Sequence, residues 1–315
     1  MATADPVTVF ENQRRRLFGI AYRLLGSATE AEDVVQEAYL RWHGVDPAAV
    51  AAPPAWLAKV VTNLCLNRLT SARAQREIYT GPWLPEPVLT GGDDALGPLE
   101  AVEQRDSVSF ALLTSMERLT PAERAVFVLR EAFAYSFREI ADVIGHTESG
   151  CRQLHRRAKQ HLSTARPRHE VSREHGRQVV ARFLAAARGG ELERLEDLLA
   201  ADVISWSDGG GRVSAGRRPV VGAERVARFA WAPFQRRTVD NLVVERFGGE
   251  PTLRVVEVNG EPALVARAGE RLIAVAVFEL APEGIAGLRV VMNPDKLVFI
   301  GRQLSRIEAV TGSSP

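Results

Sequence analysis

Apolar side chains recur at helix spacing through residues 8–76. Leu17, Ile20, Ala21, Leu24 and Leu25 form one stripe, which Gly26 ends. Thr29 with Glu32 reads as a capping box for a second helix, whose stripe runs through Val34, Val35, Ala38 and Tyr39. Pro53 and Pro54 break the chain, and Pro54 suits the first turn of a third helix. That helix buries Trp56, Leu57, Val60, Val61 and Leu64, leaving Lys59, Thr62, Asn63, Asn67 and Arg68 as its polar face. Residues 77–98, dense in Pro and Gly, read as a linker, and 99–166 return to helical periodicity. Within them Thr120-Pro121-Ala122-Glu123 and Ser136-Phe137-Arg138-Glu139 are two capping boxes. One or two helices follow at about 173–199. After them the period shortens to two, with strands expected at 202–206, 240–247, 252–259, 262–268, 271–280 and 285–292. Glycines 248, 249, 260, 269 and 284 fall between these strands, where tight turns need positive φ. The pattern predicts two all-α domains followed by an α+β cone or half-open barrel over 172–300, with 301–315 as a tail.

Composition changes this picture little. The 315 residues suit two or three domains, and a formal charge of +1 does not by itself point to nucleic acid. The sum hides asymmetry: Glu148–Arg168 holds six Lys or Arg against one acid, and five of the six His lie between His146 and His175. Cys65 and Cys151 both sit in apolar helical patterns, as reduced core residues of a cytoplasmic protein do. No Cys/His spacing suits zinc, no run is long enough to span a membrane, and no secretory leader opens the chain. No cofactor is expected.

The sharpest local signal is a helix-turn-helix. Ala141 is small where two helices would cross, Gly145 supplies the turn, and Cys151, Leu154, Ala158 and Leu162 continue the buried stripe of the second helix. Its other face presents Ser149, Arg152, Gln153, Arg156, Arg157 and Lys159. Arg and Gln can bond base edges in pairs while Lys and outlying Arg neutralise phosphates, so the face points to duplex DNA over a merely solvated basic helix. In the first region, Ala31–Tyr39 is either a core helix with a solvated acidic edge or a docking helix for a basic partner. Trp56 with Lys59, Asn63, Asn67 and Arg68 has the aromatic-plus-amide make-up that holds unstacked bases, although a core Trp with solvated amides fits equally. Tyr79, Trp83 and Leu84 are more apolar than a solvated tether requires, so the linker packs either on its own domain or between domains.

Together these segments resemble extracytoplasmic-function (ECF) sigma factors. The first region matches in "RRRLFGIAYRLLGSATEAEDVVQEAYLRW" and "AWLAKVVTNLCLNRL", the second in "LTPAERAVFVLREAFAYSFREIADVIGHTESGCRQLHRRAKQHL". The linker "YTGPWLPEP", including Tyr79, Trp83 and Pro85, is similar to that of the subgroup with a SnoaL-like C-terminal extension. So are Asp208-Gly209-Gly210-Gly211-Arg212 and Asn293-Pro294-Asp295-Lys296-Leu297. Arg212 stands where that subgroup's pattern leads one to expect Lys, which keeps the charge and changes its geometry. The resemblance implies that Asp33, Gln36 and Glu37 lie on the helix that meets the polymerase β′ subunit, with β as a further partner in the core enzyme. It implies that the helix 54–73 recognises and melts the minus-ten promoter element, and that the helix from Glu148 reads the minus-thirty-five element. Polymerase would supply all the chemistry.

SnoaL-like folds include enzymes, so an acid/base pair is worth seeking in the last region. No His or Cys follows His175, and Asp197, Asp202, Asp208, Asp240 and Asp295 are scattered. Asp208 beside three glycines suits turn chemistry better than general-base catalysis. The expectation is a regulatory domain without enzymatic activity that restrains the DNA-binding modules in cis. It carries an exposed glycine loop at 208–212 and a segment at 293–297 that docks on the helical half. Any small-molecule ligand of this domain is unspecified.

Overall fold

The computed structural model describes residues 5–46, 49–77, 79–90, 107–163, 172–234 and 251–311, which fall into two compact units. One unit comprises Met1–Ile78 with Thr90–Arg166; the other comprises Tyr79–Leu89 with Pro167–Pro315. The strand expected at 240–247, the glycines at 248 and 249, and the linker beyond Thr90 lie outside the described residues.

In the first unit, α1 (Pro6–Leu25), α2 (Ala28–His43) and α3 (Pro53–Glu77) pack mutually. Gly26 ends α1 in the left-handed region at φ 67°. Ser27 is already extended and accepts from the Glu30 backbone N–H, so it caps α2 two residues earlier than the expected Thr29–Glu32 box. Thr29 therefore lies inside the first turn. Trp42, 1% exposed, closes the bundle and donates its indole N–H to the Pro6 carbonyl (2.8 Å). Thr62 is also not on the polar face of α3: it is fully buried, and its hydroxyl donates back to the Ala58 carbonyl at 2.8 Å.

The remaining α-helices among the described residues of this unit are α4 (Phe110–Ser115), α5 (Pro121–Glu131), α6 (Phe137–Ile144) and α7 (Glu148–Leu162). Both capping boxes form as expected, Thr120 with Glu123 and Ser136 with Glu139. Gly145 takes φ 69°, and a Cβ there would meet no atom within 4 Å, so only the backbone conformation demands glycine. Gly145→Ala is expected to lower stability by about 1–2 kcal/mol, the cost of a left-handed L-residue, read as a fall in denaturation midpoint. The two helical regions do not fold apart. α5 packs on α1 and α3, and α6 on α3. Arg124, 3% exposed, reaches from α5 to the Leu24 carbonyl at the end of α1 (2.9 Å). Arg23 donates to Ser107 Oγ (2.8 Å) and lies against the Phe133 ring.

The second unit contains α8 (Arg173–Gly189), α9 (Leu192–Asp197) and α10 (Ala223–Trp231) on a six-stranded sheet. Its strands are β1 (Leu199–Asp208), β2 (Val220–Val221), β3 (Pro251–Val258), β4 (Glu261–Ala268), β5 (Arg271–Ala281) and β6 (Gly284–Val291), in the order β2-β1-β6-β5-β4-β3. β3 to β6 form the expected antiparallel meander, whereas β1 adds to β6 in parallel. Phe183, Leu195 and Val226 pack on Leu264, Phe278 and Leu288 to fill the helix-covered face. Residues 301–315 were expected as a tail, yet α11 (Val298–Thr311) is helical and buries Phe299, Ile300 and Leu304. This architecture, helical regions followed by an α+β sheet domain, is the one expected.

Candidate nucleic-acid interface

The caps and the Gly145 turn set α7 beside α5 and α6, with Cys151 and Ala158 fully buried. Ser149, Arg152, Gln153, Arg156, Arg157 and Lys159 are all exposed. They are not equivalent. Lys159 lies 3.3 Å from Glu131 of α5. Arg152 pairs with Glu148 one turn earlier and rests on the Phe137 ring, 4.9 Å from its centroid. His155, which charge and periodicity did not single out, bonds Glu131 at 2.7 Å and packs on Phe127 and Phe137. Burial alone would raise the Glu131 carboxyl, but the bonds from His155 and Lys159 outweigh it and hold Glu131 below its ordinary value. The pair thus stitches α7 to α5. A helical count from Cys151 would have found His155 at the next position of the buried stripe.

On α3, Trp56 is half-buried against Trp42 with ring centroids 5.6 Å apart, Asn63 is half-buried, and Lys59 and Asn67 are exposed. Arg68 turns toward α2. It donates to the Glu30 carbonyl (3.2 Å) and lies 3.9 Å from Asp33 and 3.7 Å from Glu37. Residues assigned separately to nucleic acid and to polymerase are thus electrostatic partners. Asp33 and Gln36 are exposed, Glu37 is half-buried, and Leu40, one turn beyond, is 62% exposed, an apolar member of that face which sequence reading passed over.

In the second unit the glycine loop, the 293–297 segment and the linker motif converge. Asp208, 1% exposed, accepts from four donors: Tyr79 Oη (2.6 Å), Gly210 N (3.0 Å), Leu84 N (2.9 Å) and Lys296 Nζ (2.7 Å). Lys296 also donates to the Leu84 carbonyl at 2.5 Å and lies 4.7 Å and 4.4 Å from the Tyr79 and Trp83 ring centroids. Asn293 donates to Tyr79 Oη (2.9 Å). Burial, then the bond to Asp208 and its charge, push the Tyr79 phenol well above its usual range. Gly210 takes φ 60°, and a Cβ there would come within 2.3 Å of Asn293 Nδ2; one on Gly209 would come equally close to the Val213 carbonyl, whereas Gly211 is required by its φ of 72° and not by crowding. Arg212 pairs with Asp295 at the surface (2.8 Å). Farther along, Val88 N–H donates to Asn259 Oδ1 and Leu89 N–H to Gln303 Oε1, both at 2.9 Å, and Pro85 is buried.

Two expectations change. The 208–212 loop is anchored by a buried carboxylate, and the 293–297 segment grips Tyr79–Leu84 within its own unit. A signal was available in the apolar content of "YTGPWLPEP", which only a buried segment needs.

Among the described residues, no three His, Cys, Asp or Glu side chains gather as metal ligands, and no helix is long and apolar enough to cross a membrane. A cleft of about 420 Å³ between α8 and α9 is lined by Arg182, Glu191, Arg194 and Asp197 together with Ala185, Ala186 and Leu198.

Residues 9–75 match the family description "Sigma-70 region 2" and residues 109–162 "Sigma-70, region 4". The chain is 43% identical over 233 residues to the ECF RNA polymerase sigma factor SigJ of Mycobacterium tuberculosis, spanning 73% of each protein. It is 30% identical over 304 residues to the "Probable ECF RNA polymerase sigma factor SigI" of the same organism, covering 94% of this chain and 97% of the relative. The SigJ crystal structure superposes with a TM-score of 0.71 at 36% identity, covering 93% of this chain and 98% of that one. The helix-turn-helix, the acidic α2 face and the sheet domain thus have one common explanation: the chain belongs to the ECF RNA polymerase sigma factors, with a SnoaL-like C-terminal domain.

Proposed function

We propose that this chain directs RNA polymerase to its promoters under control in cis from the SnoaL-like domain. One observation carries the regulatory part of that reading. Tyr79–Leu89 lies in sequence between region 2 and region 4, yet it is built into the C-terminal unit. The tether joining the two DNA-binding regions is therefore held by the domain that follows them. Any event that loosens this hold changes the separation those regions can reach, because a freed tether regains the span of a flexible chain.

The roles divide as follows. Asp33, Gln36, Glu37 and the exposed Leu40 form a face of α2 suited to the β′ subunit, an acidic rim around an apolar contact. Trp56, Lys59, Asn63 and Asn67 serve the melted minus-ten strand by stacking and amide bonding. Arg68 orients the acidic rim from α3. Ser149, Arg152, Gln153, Arg156 and Arg157 read or grip the minus-thirty-five duplex, and polymerase β supports region 4 there. The second unit acts without catalysis: its one deeply buried Asp among the described residues, Asp208, already accepts four internal donors and has no free lone pair to act as a base.

Run-off transcription with purified polymerase core tests both parts. The full chain should produce start sites that depend on it and share two spaced elements. A chain ending at Val171 should use the same elements with altered efficiency. Equal transcription from both chains at matched concentration would remove the regulatory role. No dependence on either chain would remove the initiation role.

A further inference from the structure

Three arginines of α7 face solvent on the DNA side, and their surroundings differ. Among the described residues, Arg156 and Arg157 have no ion-pair or ring partner. Arg152 has two: the Glu148 carboxylate and the Phe137 ring. That ring is itself fixed. Arg130 lies 5.0 Å from its centroid, and the His155 ring meets it edge-on at 5.4 Å. His155 is in turn held by Glu131. A chain of contacts thus runs from Glu131 of α5 through half-buried His155 and Phe137 to one exposed guanidinium.

A long arginine side chain loses considerable rotamer freedom when it engages a base, and an arginine already held loses less. A planar guanidinium stacked on a ring has a set orientation, and with one amino group committed to Glu148 its remaining donors point one way. Such an arginine can distinguish guanine O6 and N7 from other base edges. An arginine without partners adapts to wherever phosphate lies, which gives affinity without sequence preference.

We propose that Phe137 and Glu148 are positioning residues that orient Arg152 to read one guanine of the minus-thirty-five element, while Arg156 and Arg157 grip phosphate. This rests on the promoter-reading role given above to α7. Phe137 belongs to α6 and Glu148 is an acid, so neither would be chosen as a DNA contact from charge alone.

The test uses the polymerase holoenzyme assembled with the full chain and a promoter whose upstream element is permuted one base pair at a time. Competition binding gives a preference at each position. Arg152→Ala should flatten preference at a single base pair by roughly tenfold, the order of one bidentate contact. Phe137→Leu, which keeps an apolar side chain at the start of α6, should flatten the same position by roughly fivefold, the order of one cation–π contact. Glu148→Gln should act at that position in the same direction. In an Arg152→Ala background neither further change should matter. Uniform weakening across all sequences by Phe137→Leu would overturn the proposal, as would an effect that persists without Arg152. Sharper preference in Glu148→Gln would also overturn it, by showing that the acid competes with the base. If the unsubstituted holoenzyme shows no dependence on the upstream element, the promoter-reading role itself fails, and that result is separable from the others.

Discussion

Replacing Asp208 by Ala is expected to lower the stability of the second unit by about 3–5 kcal/mol, the cost of breaking a buried ion pair from one side. The carboxylate is 1% exposed and Lys296 is 7% exposed, so neither charge has water to fall back on. With Asp208 gone, the ammonium retains the Leu84 carbonyl and two ring faces, while Tyr79 Oη, Leu84 N–H and Gly210 N–H lose an acceptor. Calorimetry should show the transition of that unit fall by roughly 10 °C. Removing both charges in Asp208→Leu with Lys296→Met should recover much of the loss, because the cost arises from an unpaired buried charge more than from the absence of the pair. Protease cleavage within Tyr79–Leu89 should accelerate in the single variant, since three of its anchors depend on this carboxylate and its ammonium partner. A single variant that melts within 2 °C of the parent (about 1 kcal/mol) would show that the cluster does not hold the segment.

Arg124→Met is the second large effect, expected at about 2–4 kcal/mol in the helical unit. The guanidinium donates to the Met116 carbonyl through Nε (3.0 Å) and Nη2 (2.5 Å), to the Leu24 carbonyl through Nη1 (2.9 Å), and to Glu117 (2.9 Å). Leu24 lies in the last turn of α1, where carbonyls have no partner within the helix and the helix dipole favours a cation. Methionine fills similar volume but donates nothing, so the buried Leu24 carbonyl is orphaned and the Met116 carbonyl keeps only the Leu119 N–H. Lysine would keep the charge and lose the fork, and should recover only part of the difference. Urea denaturation of the full chain would measure both. Equal midpoints for the parent and the methionine variant would mean that water replaces the guanidinium and the clasp contributes nothing.

Legibility followed the sequence distance over which each feature is decided. The Thr120 and Ser136 boxes and the Gly145 turn involve partners no more than five residues apart, so their chemistry is written in a single window. The four strands of the meander were readable because alternation and a turn glycine recur together, as at Gly260, Gly269 and Gly284. The Thr29 cap failed within that same short range because Ser27 had an equal claim. The left-handed Gly26 starts the next helix with no spacer, which gives the earlier residue the extended conformation a cap needs. Thr62 was placed outward as a polar residue, but a hydroxyl that bonds its own helix can be buried at no loss.

The candidate site was readable as a set of residue types and only partly as a geometry. The basic face of α7 is legible because helix periodicity alone puts Arg152, Arg156 and Lys159 on one side. Which arginine is held and which is not depends on Phe137 in another helix. The same holds for Arg68, whose charge suggested nucleic acid until α3 packed on α2 and set it beside Asp33 and Glu37.

By itself the sequence determined the kind of each segment: helix, turn, strand, basic face, apolar linker. These follow from propensity and periodicity, which are local. Only the tertiary structure decided which unit owns Tyr79–Leu89, that Asp208 meets Lys296 across 88 positions, and that Arg124 closes α1 across 100. Burial creates those pairings. A carboxylate or guanidinium removed from water must find a partner, and the partner is whichever residue the fold brings near, at any distance along the chain.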